Sequence, residues 1–251
     1  MAKEPTAPLP VPTEPPPHRG VLGYLGFAGC VRLPIRIDAP RLAGELARLP
    51  GDVWGRADRD PVVQASVESF FALGHPRGPR PLPPEDQPVL ASLPYLRELL
   101  HEVIPARPTR AIVARLLPLG LIPIHTDTPR FFRATVRLSI QVAAAGAQKL
   151  YCDGLWYDFA PGEVWALDNL RPHAFRNTAD EPRTNVLVDC LPANPLVDLI
   201  VRGDHDLGVP DPAARAALES ATRARYRANR WRSLRYEVFK LLWRRTERHR
   251  P

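Results

Sequence analysis

Between Arg110 and Cys190 the chain is a succession of short apolar runs cut by turn residues. They are Ala111 to Leu117, Ala134 to Val142, Lys149 to Tyr151, Leu155 to Phe159, Glu163 to Leu167, His173 to Asn177 and Thr184 to Cys190. Runs this short bury themselves only by pairing with one another. The pattern therefore predicts a mainly β fold with flanking helices, an antiparallel barrel or jelly roll. Asp153-Gly154 between two of the runs is a hairpin signal, because a two-residue turn of the favoured hand needs positive φ at both central positions. Pro161-Gly162 marks a second turn.

The flanks read differently. Gly20 to Leu33 reads as a strand, and Ala39 to Leu49, with Leu42, Leu46 and Leu49 at helical spacing, as a short helix. Ala65 to Leu73 is apolar enough for a strand, and the Gly/Pro-rich stretch 74–84 reads as a loop. A helix is expected from Pro84 to about Val103, with Leu90, Leu93, Leu96, Leu99 and Leu100 on one face. After Pro210 the pattern is helical again from Pro212, and Trp231, Leu234, Val238, Leu241 and Leu242 form a stripe expected to pack on the barrel. The chain thus divides into a disordered proline-rich lead (1–19), one domain (20–210) with its jelly-roll core at about 110–192, and a basic helical C-terminal extension (211–251).

The net charge of +7 points at first to a nucleic-acid partner. From Ala221 to Pro251, however, eleven Lys or Arg residues stand against two acids, which leaves 23 basic and 25 acidic side chains for the rest of the chain. The body lacks the basic character of a nucleic-acid-binding domain, and the tail alone has a use for an acidic partner. No run of about 18 apolar residues supports a membrane span, and the N-terminus has no apolar core of an export signal, so a cytoplasmic location is the default. Three widely spaced cysteines, Cys30, Cys152 and Cys190, suggest neither a disulfide framework nor a zinc site.

The chemistry concentrates in three segments. His125-Thr126-Asp127 ends an apolar stretch, where alternate residues of an extended chain project to one side, so His125 and Asp127 can converge on one point. A redox-active iron(II) site needs two imidazoles and one carboxylate on one face of the metal. His173, in a second strand-like segment several runs later, completes that set. Ten residues on, Arg183 opens the next run with a forked guanidinium suited to a bidentate grip on a carboxylate. An HxD triplet alone is common, but this ordered set is hard to produce by accident with only seven histidines.

From about Arg115 to Pro192 the sequence resembles the aspartyl/asparaginyl β-hydroxylase family, including its bacterial members that act on free amino acids, such as proline cis-hydroxylases. The matching pieces are Leu119-Gly120 before IPIHTD, Arg137-Leu138-Ser139, PGEVWALDN at 161–169, PHAFRN, and Arg183 before a strand ending in Asp189. The resemblance implies a double-stranded β-helix (a cupin-like jelly roll) and two cofactors, Fe(II) and 2-oxoglutarate. It implies decarboxylation of 2-oxoglutarate to succinate while molecular oxygen hydroxylates an amino acid, an amino-acid-derived molecule or a peptide. His125, Asp127 and His173 would be the metal ligands and Arg183 the partner of the distal carboxylate of 2-oxoglutarate. Arg137 matches a family arginine that also holds the co-substrate. Ser139 stands where family members often have His. Asp127 places the chain nearer the bacterial small-molecule branch and fills the position that halide takes in related halogenases, which makes an alcohol the expected product.

Plainer readings stand beside these. Arg137 suits a solvated strand or an ion pair, Asp168-Asn169 an ordinary turn although both could orient His173, and Trp156 and Trp165 core or rim packing. Arg130 and Arg133, in a loop after the metal motif, could meet a substrate carboxylate. Two other functions remain open: a non-catalytic cupin-like metal-binding protein, against which Arg183 counts, and a nucleic-acid-associated protein using the tail.

Overall fold

The computed structural model describes residues 21–27, 29–56, 65–74, 84–127, 132, 134–143, 149–231 and 234. The proline-rich lead, Arg130, Arg133, Val238, Leu241, Leu242 and most of the loop at 74–84 lie outside them.

Every short run read as a strand in the core is one. The strands are β4 (Arg107–Leu116), β5 (Leu121–His125), β6 (Val136–Ala143), β7 (Lys149–Cys152), β8 (Leu155–Asp158), β9 (Glu163–Leu167), β10 (His173–Arg176) and β11 (Arg183–Leu191). They are preceded by β1 (Cys30–Arg36), β2 (Gly55–Arg56) and β3 (Val67–Leu73), and followed by β12 (Val209–Pro210). One sheet runs β1-β9-β6-β11-β4-β3-β2 and the other β12-β8-β7-β10-β5, and all pairings are antiparallel. From β4 to β11 the chain shuttles between the two sheets, giving the order of a double-stranded β-helix. Asp153 (φ 49°) and Gly154 (φ 93°) form the tight β7–β8 turn, and only glycine tolerates the latter value without strain.

Side-chain alternation sorts the large sheet into two faces. Val136, Leu138, Ile140 and Val142 of β6 and Val186, Val188 and Cys190 of β11 face a helical layer, where α2 (Ala39–Ala47) contributes Leu42 and Leu46. The opposite face looks into the barrel and carries Ile112, Leu116, Trp165, Leu167 and Leu187 against Leu150, Tyr157 and Phe175. Both Trp156 and Trp165 are buried, as core packing requires.

Three expectations need correction. Residues 20–33 are not one strand: Val21–Tyr24 forms a helical turn (α1), and β1 begins only at Cys30. The helix expected over 84–103 is broken into a 3-10 segment Pro88–Ser92, a short α3 (Pro94–Glu98) and a π segment Leu99–Val103. Pro94 lacks an N–H and forces Leu93 out of helical geometry (φ −127°, ψ 66°), although all five leucines are buried as anticipated.

The tail also departs from expectation. Its helix, α5 (Pro212–Ala228), starts where the sequence suggests and is capped by the Asp211 carboxylate accepting from Ala214 N. Yet Trp231 and Leu234 are 75 % and 52 % exposed. The buried anchor is Leu218, packed with Tyr151, Trp156 and Ala174 of the small sheet. Helical periodicity gives a segment an apolar face without saying what covers it, and the alanine-rich first half fits closer to β5. There Thr222 Oγ1 accepts from Ile124 N at 3.2 Å, satisfying a donor on an edge strand. A last helix, α4 (Asn194–Val201), packs on β1. Among the described residues no helix is long and apolar enough to cross a membrane.

Candidate active site

The inward face of the large sheet holds a row of buried polar side chains: Arg137, Ser139 and Gln141 on β6, and Arg183, Asn185 and Asp189 on β11. Burying so many polar groups costs stability unless each is paired or meets a ligand, so this row marks where the barrel does its chemistry.

His125 ends β5 and His173 begins β10, and the two are direct cross-strand partners, with ring centroids 4.3 Å apart. Asp127 lies two residues beyond the end of β5. One ligand atom from each of His125, Asp127 and His173 falls within 4.8 Å of the others. The Nδ1 of His125 lies 2.8 Å from Pro123 O and that of His173 2.9 Å from Arg171 O. Each carbonyl can only accept, so Nδ1 carries the proton and Nε2 presents its lone pair to the common centre. Burial, reinforced by His125, holds His173 down at about 3, so the imidazole is neutral at neutral pH, as a ligand must be.

The carboxylate of Asp127 is oriented just as closely. Its Oδ2 accepts from Arg137 Nη1 (2.6 Å) and Asn169 Nδ2 (2.8 Å), and its backbone N–H donates to Asn169 O at 3.0 Å. Oδ1 is left facing the site, 3.9 Å from His125 Nε2. Burial pushes this carboxyl up, but Arg137 and the two imidazoles outweigh it and hold the group below the usual carboxylate range. Two imidazoles and one singly available carboxylate oxygen form the donor set that suits iron(II) with positions to spare.

Arg137 is neither solvated nor a simple surface pair. Its Nε and Nη2 donate to the two oxygens of Asp189 at 2.8 and 3.1 Å while Nη1 holds Asp127, and Asp189 also receives Arg110 at 2.8 Å. A chain of alternating charges, buried at Arg137 and Asp189 and half-buried at its ends, thus runs Asp127, Arg137, Asp189, Arg110. Ser139 sits behind the cavity wall, 3.4 Å from Asn185 Nδ2, and Asn185 lines the cavity in its place.

Arg183 is 1 % exposed. Its Nε and Nη2 donate to Gln141 Oε1 at 3.2 and 2.9 Å, and its guanidinium lies 5.1 and 5.9 Å from the rings of Phe175 and Phe159. Nη1 is buried and has no hydrogen-bond partner among the described residues. Burial lowers its pKa to about 9, which still leaves a cation at neutral pH. Arg183, His125, His173 and Arg137 line one cavity whose remaining wall is largely apolar. An orphaned guanidinium N–H facing a metal-competent triad fits a small dicarboxylate bound between them.

The expected residues His125, Asp127, His173 and Arg183 therefore share one cavity or its rim. Asn169, a candidate support for His173 in the sequence, supports Asp127 instead, while Gln141 and Asp189 are not singled out by sequence. Asn169 reads as a turn residue, and it does follow β9 in one, but its side chain serves Asp127. Gln141 carried a signal: in VRLSIQVA, polar residues recur at every second position of an otherwise apolar strand, which marks an inward polar row. Asp189 appeared only as the end of a strand. Asp168 pairs with Arg171 at 3.0 Å, and Arg171 also pairs with Asp153.

Residues 84–192 match the family model of aspartyl/asparaginyl β-hydroxylase. No curated protein sequence matches the chain. Among solved structures, a Burkholderia pseudomallei oxidoreductase of the 2OG-Fe(II) oxygenase family is 20% identical over 72% of this chain and 89% of its own, with a TM-score of 0.47. A Pseudomonas putida prolyl-4-hydroxylase is 16% identical over 69% and 97%, with a TM-score of 0.41. A cupin-2 domain from Rhodospirillum rubrum is 14% identical over 45% and 70%, with a TM-score of 0.29. The stretch that matches the aspartyl/asparaginyl β-hydroxylase model, less than half of the chain, contributes every side chain of the triad, its supports and Arg183.

Proposed function

We propose that this protein hydroxylates an amino acid, an amino-acid-derived molecule or a peptidyl residue, coupled to the conversion of 2-oxoglutarate to succinate. His125, Asp127 and His173 would hold iron(II), and Arg183 would pair with the distal carboxylate of 2-oxoglutarate. The observation that carries the reading is Arg183: a buried cation whose Nη1 has no partner among the described residues, in the cavity that His125 and His173 also line. A non-catalytic metal-binding protein has no use for it.

When bound, iron and 2-oxoglutarate supply the activation of oxygen, one atom of which enters succinate and the other the substrate C–H bond, with carbon dioxide released. The chain's own residues bind and orient. Pro123 O and Arg171 O fix both imidazoles as Nε2 donors. Arg137 and Asn169 hold Asp127 Oδ2 and leave Oδ1 toward the site, so the carboxylate would bind iron(II) through one oxygen. The presence of Asp127 favours an alcohol over a halogenated product. Apolar walls from Leu116, Ile122 and Phe175 keep water away from the reacting centre.

The test is succinate release by purified protein with iron(II), oxygen and 2-oxoglutarate across free amino acids, carrier-loaded amino acids and peptides, followed by mass spectrometry of the product. One labelled oxygen from oxygen gas in the product is expected. His125→Ala or His173→Ala should abolish both metal binding and turnover, and full activity in either variant would refute the assignment.

A further inference from the structure

Gln141 is fully buried beneath the co-substrate cavity, and every polar atom of its amide has work in this structure. Its Nε2 donates to Ala143 O and Thr184 O, both at 3.2 Å, while Oε1 receives both Nε and Nη2 of Arg183. The pairing of β6 with β11 slips between Thr184 and Asn185, where Thr184 opposes Ala143 and Asn185 opposes Gln141. That irregularity turns two carbonyls toward the amide. The orientation of the amide is thereby forced: a flip would set NH₂ against a guanidinium and oxygen against two carbonyl oxygens.

We infer that Gln141 is the positioning residue of the co-substrate site, a neutral acceptor that aims Arg183 while leaving its whole positive charge for an incoming carboxylate. The contrast with the neighbouring arginine carries the point. Arg137 is held by two carboxylates, Asp127 and Asp189, and is electrically spent. Arg183 is equally buried, yet its only hydrogen-bond acceptor among the described residues is an uncharged amide, and Nη1 stays open. A carboxylate in place of Gln141 would neutralise Arg183 in a low-dielectric setting and would face Ala143 O and Thr184 O with nothing to donate. An apolar residue would leave the guanidinium charged but free to swing on its stem. Gln141 has this role only if Arg183 receives the distal carboxylate of 2-oxoglutarate, as proposed above.

The experiment is anaerobic calorimetric titration of 2-oxoglutarate into the iron(II)-loaded full chain, for the wild type, Gln141→Glu, Gln141→Met and Arg183→Ala, with iron affinity measured separately. Gln141→Glu should weaken 2-oxoglutarate binding about 100-fold, the scale expected when a desolvated charge pair loses its charge complementarity. Gln141→Met should weaken it about 10-fold, because the anion must now order the guanidinium itself. In Gln141→Met the KM for 2-oxoglutarate in substrate-free succinate release should rise with kcat unchanged, and iron affinity should stay at the wild-type value. A purely structural role would instead lower stability and leave Kd alone. Wild-type affinity in either Gln141 variant, with affinity lost in Arg183→Ala, overturns the role of Gln141 alone. Unchanged affinity in Arg183→Ala, or no binding by the wild type, overturns the co-substrate reading and this role with it. Should Gln141→Glu fail to fold, Gln141→Met decides.

Discussion

Replacing Asp189 by Asn should unfold this protein far more readily than any single surface change. Asp189 is 1 % exposed and accepts from Arg137 Nε and Nη2 and from Arg110 Nε, with Arg110 Nη2 a further 2.6 Å ion-pair contact. Asn has nearly the same shape, so packing is preserved. It keeps one oxygen, however, and turns an NH₂ toward guanidinium donors, so the two arginines lose their shared anion inside the barrel. Removing one partner of a buried charge pair costs about 3–5 kcal/mol. For a domain of this size each kcal/mol moves the melting temperature by about 2–4 °C, which gives a fall of roughly 6–20 °C. Arg137 also loses the anchor that aims Nη1 at Asp127, so iron(II) affinity should fall in the same variant. Thermal unfolding followed by circular dichroism, paired with an anaerobic iron titration, reads both effects. The double variant Asp189→Asn with Arg110→Met should recover part of the loss, since one positive charge no longer faces the missing carboxylate. A melting temperature within about 2 °C of wild type would refute the view that this chain of charges holds the site together.

Asn169→Ala removes a hydrogen bond to Asp127 Oδ2 without touching the ligand itself and should weaken iron(II) binding about 10-fold, checked by competition with a chelator. Trp231→Ala should leave the melting temperature nearly unchanged because Trp231 is exposed, whereas Leu218→Ala should cost about 2–5 kcal/mol at the one buried anchor of α5. Glu163 is buried, which pushes its carboxyl up, but hydrogen bonds from Ala160 N, Trp165 Nε1 and Arg32 outweigh that and hold it below its ordinary value of 4.5. A carboxyl depressed in the folded state stabilises above the unfolded value and loses that stabilisation as pH falls. Melting curves of Glu163→Gln should therefore decline less steeply than wild type below pH 4.5.

The barrel strands were legible in the sequence because their information is local. Short apolar runs bounded by Asp153-Gly154 or Pro161-Gly162 can bury themselves only by pairing, and the matched order of His125, Asp127, His173 and Arg183 survives in one dimension. What broke the long helix expected over 84–103 was also local, a single Pro94 whose effect the leucine periodicity masked. The partnerships were different. Asn169 looks like any turn residue until the chain brings it to Asp127, and Asp189 like any strand end until β11 lies between Arg110 on β4 and Arg137 on β6. The expected apolar stripe begins at Trp231 and Leu234, which are exposed, and the buried residue of the helix is Leu218, because which part is buried depended on how closely its alanines approach β5. Periodicity and spacing determine which side chains share a face; only the closed pair of sheets decides which faces meet, because a buried charge is satisfied by whatever lies across the barrel and not by its neighbours along the chain.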